Sequence, residues 1–127
     1  MKDRDFLARV QELGALPSRK EAQRWATEVL RALADLLPEA QARRHFISQL
    51  PGALKSRLRT EPARGFLMDS QALVQHIGAA LGGHAADGER ALRIVYRVLK
   101  EAVSPGQLAQ FGAHIPKDIA ALVEKKE

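Results

Sequence analysis

Four histidines, His45, His76, His84 and His114, are the side chains here best suited to proton transfer or metal ligation. They fall in four different segments. No two stand four residues apart, the spacing that sets a pair of imidazoles on one helical face for zinc, and no His-Glu-x-x-His run is present. Ser48, Ser56 and Ser70 lack the Gly-x-Ser-x-Gly setting of an activated nucleophile, so a hydrolase triad has no support. Gly78-Ala79-Ala80-Leu81-Gly82-Gly83 departs from Gly-x-Gly-x-x-Gly spacing and follows no strand; its glycines read as helix termination, not as a phosphate cradle. With no cysteine, thiolate chemistry and disulfides are excluded as well. The residues therefore designate no catalytic, cofactor or metal site, and the expectation is a protein that is not an enzyme.

The basic residues are the remaining candidates. Arg43 and Arg44 precede a proline corner, and Lys55, Arg57, Arg59 and Arg64 follow it with Glu61 as the only acid among them. Residues 1–65 hold 13 Lys and Arg against 8 Asp and Glu, residues 66–127 hold 7 against 7, so the whole excess behind the net charge of +5 lies in the first half. These six side chains could meet phosphates. Against that, no recognition-helix pattern accompanies them, and aromatic residues able to stack on bases make up only 5% of the chain. A solvated rim is the expected role, with nucleic-acid or other polyanion binding as the alternative. Arg90, Arg93, Arg97 and Lys100 form a second basic stripe, for which Glu101, four residues after Arg97, offers a local partner.

Helices must position all of these groups. Hydrophobic residues make up 46% of the 127 and charged residues 28%, a globular balance, and no apolar run nears the ~20 residues of a membrane span. Ala, Leu and Arg dominate, while β-branched and aromatic residues are few, which favours helix throughout. Asp3 or Asp5 is placed to cap a first helix bearing Phe6, Leu7, Val10 and Leu13, which ends near Gly14. Ser18 with Glu21 opens a second, whose stripe of Ala22, Trp25, Ala26, Val29, Leu33 and Leu37 predicts a buried tryptophan. Pro38 is the expected start of the third. Thr60 to Met68 reads as a linker interrupted by Pro62 and Gly65, with Phe66, Leu67 and Met68 apolar enough to pack between the halves. Asp69 or Ser70 then caps a helix with Leu73, Val74 and Ile77 inside; Leu92, Val95, Tyr96, Leu99 and Val103 line the next, and Ser104-Pro105-Gly106-Gln107 is a strong further start.

One stretch recurs. Phe46, Leu50, Pro51 and Leu54 reappear sixty-five positions later as Phe111, Ile115, Pro116 and Ile119. Residues four apart share a helical face, and a proline ends the helix before it and can start the next, so each copy reads as helix, corner and short helix packed into a core. The chain is thus expected to be an all-α tandem duplication of a four-helix unit. About eight helices should pack as one compact bundle or short superhelix, with 1–59 the first repeat, 60–68 the linker and 69–127 the second.

Phe6-Leu7 followed by Val10, Val29-Leu30 with Leu33, and Gln49-Leu50-Pro51 resemble the bacterial domain of unknown function 2267, a two-repeat helical family, over nearly the whole chain. The second half departs from that pattern, with Leu73-Val74 in place of Phe-Leu and His114-Ile115-Pro116 in place of Gln-Leu-Pro, changes that keep apolar character and the corner. The resemblance implies an all-helical bacterial protein of the cytoplasm and supplies no catalytic residue. Nothing at Met1 to Asp5 reads as an export signal, which agrees with a cytoplasmic place. The expected function is a non-enzymatic protein-interaction or scaffold module using a groove or patch between its two repeats, with a protein partner or a second copy as occupant and no cofactor.

Overall fold

The computed structural model describes residues 1–37, 39–59 and 69–124, and among them every regular element is a helix. In chain order these are α1 (Asp3–Gly14), α2 (Arg19–Asp35), α3 (Ala40–Ser48), α4 (Gly52–Arg59), α5 (Ser70–Ala80), α6 (Ala85–Ala102), α7 (Pro105–Gly112) and α8 (Lys117–Glu124). Lengths of 12, 17, 9 and 8 residues are followed by 11, 18, 8 and 8. The expected linker at 60–68 lies outside the described residues, as do Pro38 and the last three residues.

Polar side chains at the helix starts satisfy backbone N–H groups that have no partner within the helix. Ser18 accepts from the Glu21 N–H at 3.2 Å, Asp69 from Ala72 at 2.8 Å and Ser104 from Gln107 at 3.3 Å. At α6 the capping box is built by His84 and Asp87, whose carboxylate accepts the His84 N–H at 2.7 Å. The first helix differs from the expectation. Lys2 stands at its N-cap without a side-chain bond, and Asp3 reaches across the fold to accept from Ala53 (2.9 Å) and Leu54 (3.4 Å) at the start of α4. Gly52 and the proline corner leave α4 without a capping side chain of its own, so a carboxylate from α1 takes that place. Both corner prolines stand one residue outside their helices: the Pro51 carbonyl accepts from Lys55 at 2.8 Å and the Pro116 carbonyl from Ala120 at 3.0 Å, so each supplies the first acceptor of its helix. α3 starts at Ala40, with Glu39 extended at its N-cap, later than the proline expected to open it.

One core spans both halves. α6 packs against α1, α2, α5 and α8, burying Leu92, Val95, Tyr96 and Leu99 against Phe6, Val10, Val29 and Leu33. Trp25 is buried as well; the Arg90 guanidinium lies 5.5 Å from its ring centroid and donates to the Gly14 carbonyl at 2.9 Å, closing the end of α1. α5 and α6 pack most extensively of all the helix pairs, and glycine is the reason. A Cβ on Gly88 would fall on the Val74 carbonyl oxygen and within 2.6 Å of the Gly78 nitrogen; one on Gly78 would fall on the His84 carbonyl. Gly78 therefore serves helix crossing, whereas Gly82, at φ 77°, does make the left-handed turn after α5. Among the described residues no helix is long and apolar enough to cross a membrane.

Candidate functional site

α3 and α7 each run into a proline corner, and each buries one phenylalanine toward the other. The rings of Phe46 and Phe111 stack with centroids 4.6 Å apart and planes inclined by 24°. Ala42, His45, Phe46 and Gln49 recur at helical spacing and share one face of α3; Gln107, Gln110, Phe111 and His114 do the same for α7 and its end. The two faces enclose a pocket of about 350 Å³. Its floor is apolar, made by Leu37 after α2 and by Leu99 and Val103 at the end of α6, with Leu108 and the two stacked rings as walls. Its rim is polar, carrying the imidazoles of His45 and His114 and the carboxamides of Gln49, Gln107 and Gln110. The offset of sixty-five residues carries His45 onto Gln110 and Gln49 onto His114, so the two helices offer the same pair of groups in opposite order.

No Asp, Glu, Lys or Arg lines this pocket, in a chain whose charged share is 28%. Depletion of charge around buried aromatic rings is the compositional mark of a binding core. The same depletion limits its chemistry: neither imidazole has a lining carboxylate to orient it as a base, and among the described residues no group of three or more His, Asp or Glu side chains could hold a metal ion. The arrangement can hold an apolar group below and hydrogen-bond a neutral polar one at the rim.

The six basic residues behave differently from one another. Arg43 is buried, with 4% of its side chain exposed, and its Nη1 donates to the Asp35 carboxylate at 2.7 Å. It is directed into the protein because α3 crosses the end of α2, and it is not open to an external phosphate. Arg44 is exposed and Lys55 half-buried. With the Gln23 carboxamide turned to accept, Arg57 donates to it from Nε at 3.2 Å. The Arg59 side chain and Arg64 lie outside the described residues. Arg43, Arg44, Lys55 and Arg57 do not line the pocket. In the other basic stripe, Glu101 pairs with Arg9 through two bonds of 3.0 and 2.9 Å, and not with Arg97 as its primary partner; Lys100 reaches Glu124 at 2.9 Å.

Clearly shifted pKa values occur at joints between helices. A hydrogen bond from Arg9 holds Glu101 below the usual carboxylate range and raises Arg9 itself. The backbone N–H of Ser70 lowers Asp118, and burial, followed by the nearby Glu124 charge, pushes Tyr96 up to about 12. Each shift has a structural partner that accounts for it.

The proline-corner residues lie in the core: Leu50, Leu54 and Ile119 are fully or almost fully buried, and Phe46, Phe111 and Ile115 keep only a sliver of surface. Sequence reasoning expected a groove or patch between two repeats and did not single out the polar residues that rim this pocket. The pocket's sign was present in His45 with Gln49 and Gln110 with His114, pairs of polar groups four apart on the faces that carry the phenylalanines. No curated protein matches this sequence. A family match covers residues 3–122, nearly the whole chain, and it is to the family described as "Uncharacterized conserved protein (DUF2267)", to which this chain belongs.

Proposed function

We propose that this chain is a non-enzymatic binding module, and that its site is the pocket between α3 and α7, where an apolar group carried by a protein partner is held. The observation that supports this reading most is the concave lining around the Phe46–Phe111 stack, which holds no Asp, Glu, Lys or Arg and is rimmed by imidazoles and carboxamides. The place fits a duplicated four-helix unit, since the pocket opens where the third helix of one half meets that of the other. A cytoplasmic setting belongs to the same proposal and rests on the absence of cysteine. Polyanion binding through the first half loses Arg43 to its pairing with Asp35, which leaves Arg44, Lys55 and Arg57 of that set among the described side chains.

Comparison of three baits tests the reading: the unaltered chain, Leu108→Arg, which sets a charge in the pocket wall, and Ala109→Arg, which sets the same charge on the exposed side of α7. With folding verified by circular dichroism, proteins retained by the unaltered chain and by Ala109→Arg should be lost from Leu108→Arg. Equal recovery by all three baits removes the pocket as the site. A steep fall in DNA affinity with salt, seen in the unaltered chain, would favour the polyanion reading instead.

A further inference from the structure

The inference here rests on the pocket reading above and names the chemistry of its occupant. We propose that the pocket selects a neutral apolar side chain presented together with its own peptide amides, such as an aromatic or branched aliphatic residue within a partner's chain.

Charge complementarity argues first. An ammonium entering the pocket would leave water and meet no carboxylate, because the lining holds no Asp or Glu, and a carboxylate would meet no Lys or Arg. Such desolvation without pairing weakens binding, while an uncharged group suffers none of it.

The rim argues second. Gln49, Gln107 and Gln110 each carry both donor and acceptor atoms in one carboxamide, and the imidazoles of His45 and His114 can supply either role. A peptide amide also offers one donor and one acceptor, so it replaces the water these groups lose when the mouth is covered. A plain hydrocarbon would cover the half-buried Gln49 and Gln107 without giving them a partner, which costs affinity.

The floor and size argue third. A floor of Leu37, Leu99 and Val103 between walls made by Leu108 and two stacked rings accepts a ring or a branched aliphatic group in offset or edge contact. A volume of about 350 Å³ stands at the low end of ligand pockets and suits one residue with its flanking amides.

The test is an NMR titration of the unaltered protein with three probes that differ only in charge: N-acetylphenylalaninamide, N-acetylphenylalanine with a free carboxylate, and phenylalaninamide with a free ammonium. The neutral probe should shift signals of His45, His114, Phe46 and Phe111 and bind about five-fold or more tightly than either charged one, a difference of roughly 1 kcal/mol. Leu108→Arg should abolish that binding and Ala109→Arg should leave it. A charged probe that binds at α3 and α7 as tightly as the neutral one overturns the proposed selectivity while the pocket stands as a site. No shift with any probe overturns the proposed occupant, and the bait comparison then decides the pocket reading separately.

Discussion

The carboxylate of Asp118, in the first turn of α8, accepts the backbone N–H of Ser70 at 2.6 Å, and so ties the start of α8 to the start of α5 across 48 residues. In the first half Asp3 ties α1 to α4 by the same chemistry from the other side of the joint. The bond holds Asp118 below its ordinary pKa, so its contribution to stability is present at neutral pH and is lost as pH falls through that lowered value. Asp118→Asn should unfold at lower urea concentration than the unaltered protein at pH 7, and the gap between the two should close in acid. A gap of constant size from pH 7 to the acid limit would show that the charge on Asp118 is not what holds the joint.

Asp35 and Arg43 form an ion pair with side-chain exposures of 9% and 4%. Removing one partner strands a charge in the interior. Asp35→Ala should therefore destabilise the fold by about 3–5 kcal/mol, whereas the double change Asp35→Leu with Arg43→Met, which removes both charges and keeps volume, should lie within about 1–2 kcal/mol of the unaltered protein. Chemical denaturation of the three proteins measures this. A double variant as unstable as the single one would contradict the assignment of the loss to an unpaired charge.

Two glycine substitutions should have opposite signs. Gly88→Ala forces a methyl group into the Val74 backbone and should cost about 3 kcal/mol or more, since α5 and α6 must separate to admit it. Gly112→Ala at the end of α7 meets nothing within 4 Å, and it should stabilise by about 0.5–1 kcal/mol by reducing the freedom of the unfolded chain. Thermal unfolding of both variants decides the matter.

Tyr96 is 3% exposed and its hydroxyl bonds to Glu124, so burial and the neighbouring charge raise its pKa to about 12. The folded protein thus holds this proton more tightly than the unfolded chain, whose tyrosine titrates near its ordinary value of about 10. The associated stability is complete below about pH 10 and declines as pH rises toward 12, by about 2–3 kcal/mol in all. Tyr96→Phe should flatten that alkaline decline in a pH series of urea midpoints. An unchanged slope would assign the alkaline loss to other groups.

Much of the architecture was legible because its causes are local. Ser18, Asp69 and Ser104 mark helix starts by chemistry confined to one turn, and the stripes through Val29 and Val95 follow from periodicity alone. What could not be read was long-range. Asp3 looked like a cap for its own helix and instead caps α4, because nothing in a sequence says which helix start a carboxylate will reach. Glu101 had a suitable partner four residues away and chose Arg9, 92 positions distant, which offers two bonds at once. Arg43 shared its composition with its basic neighbours, and only the crossing of α3 over α2 separates it from them. The pocket is the same lesson: each half shows an unremarkable polar pair, and the site exists only where the two are brought face to face.

The position of α6 has a consequence for the order in which this protein can be made. α1 and α2 bury part of the surface of Phe6, Val10 and Val29 against a helix that ends at Ala102, so during synthesis the first half leaves the ribosome with one apolar side uncovered. The first four helices also pack on one another, but their shared core is completed only once α6 has been made, and until then the side that α6 covers is open to any hydrophobic surface nearby.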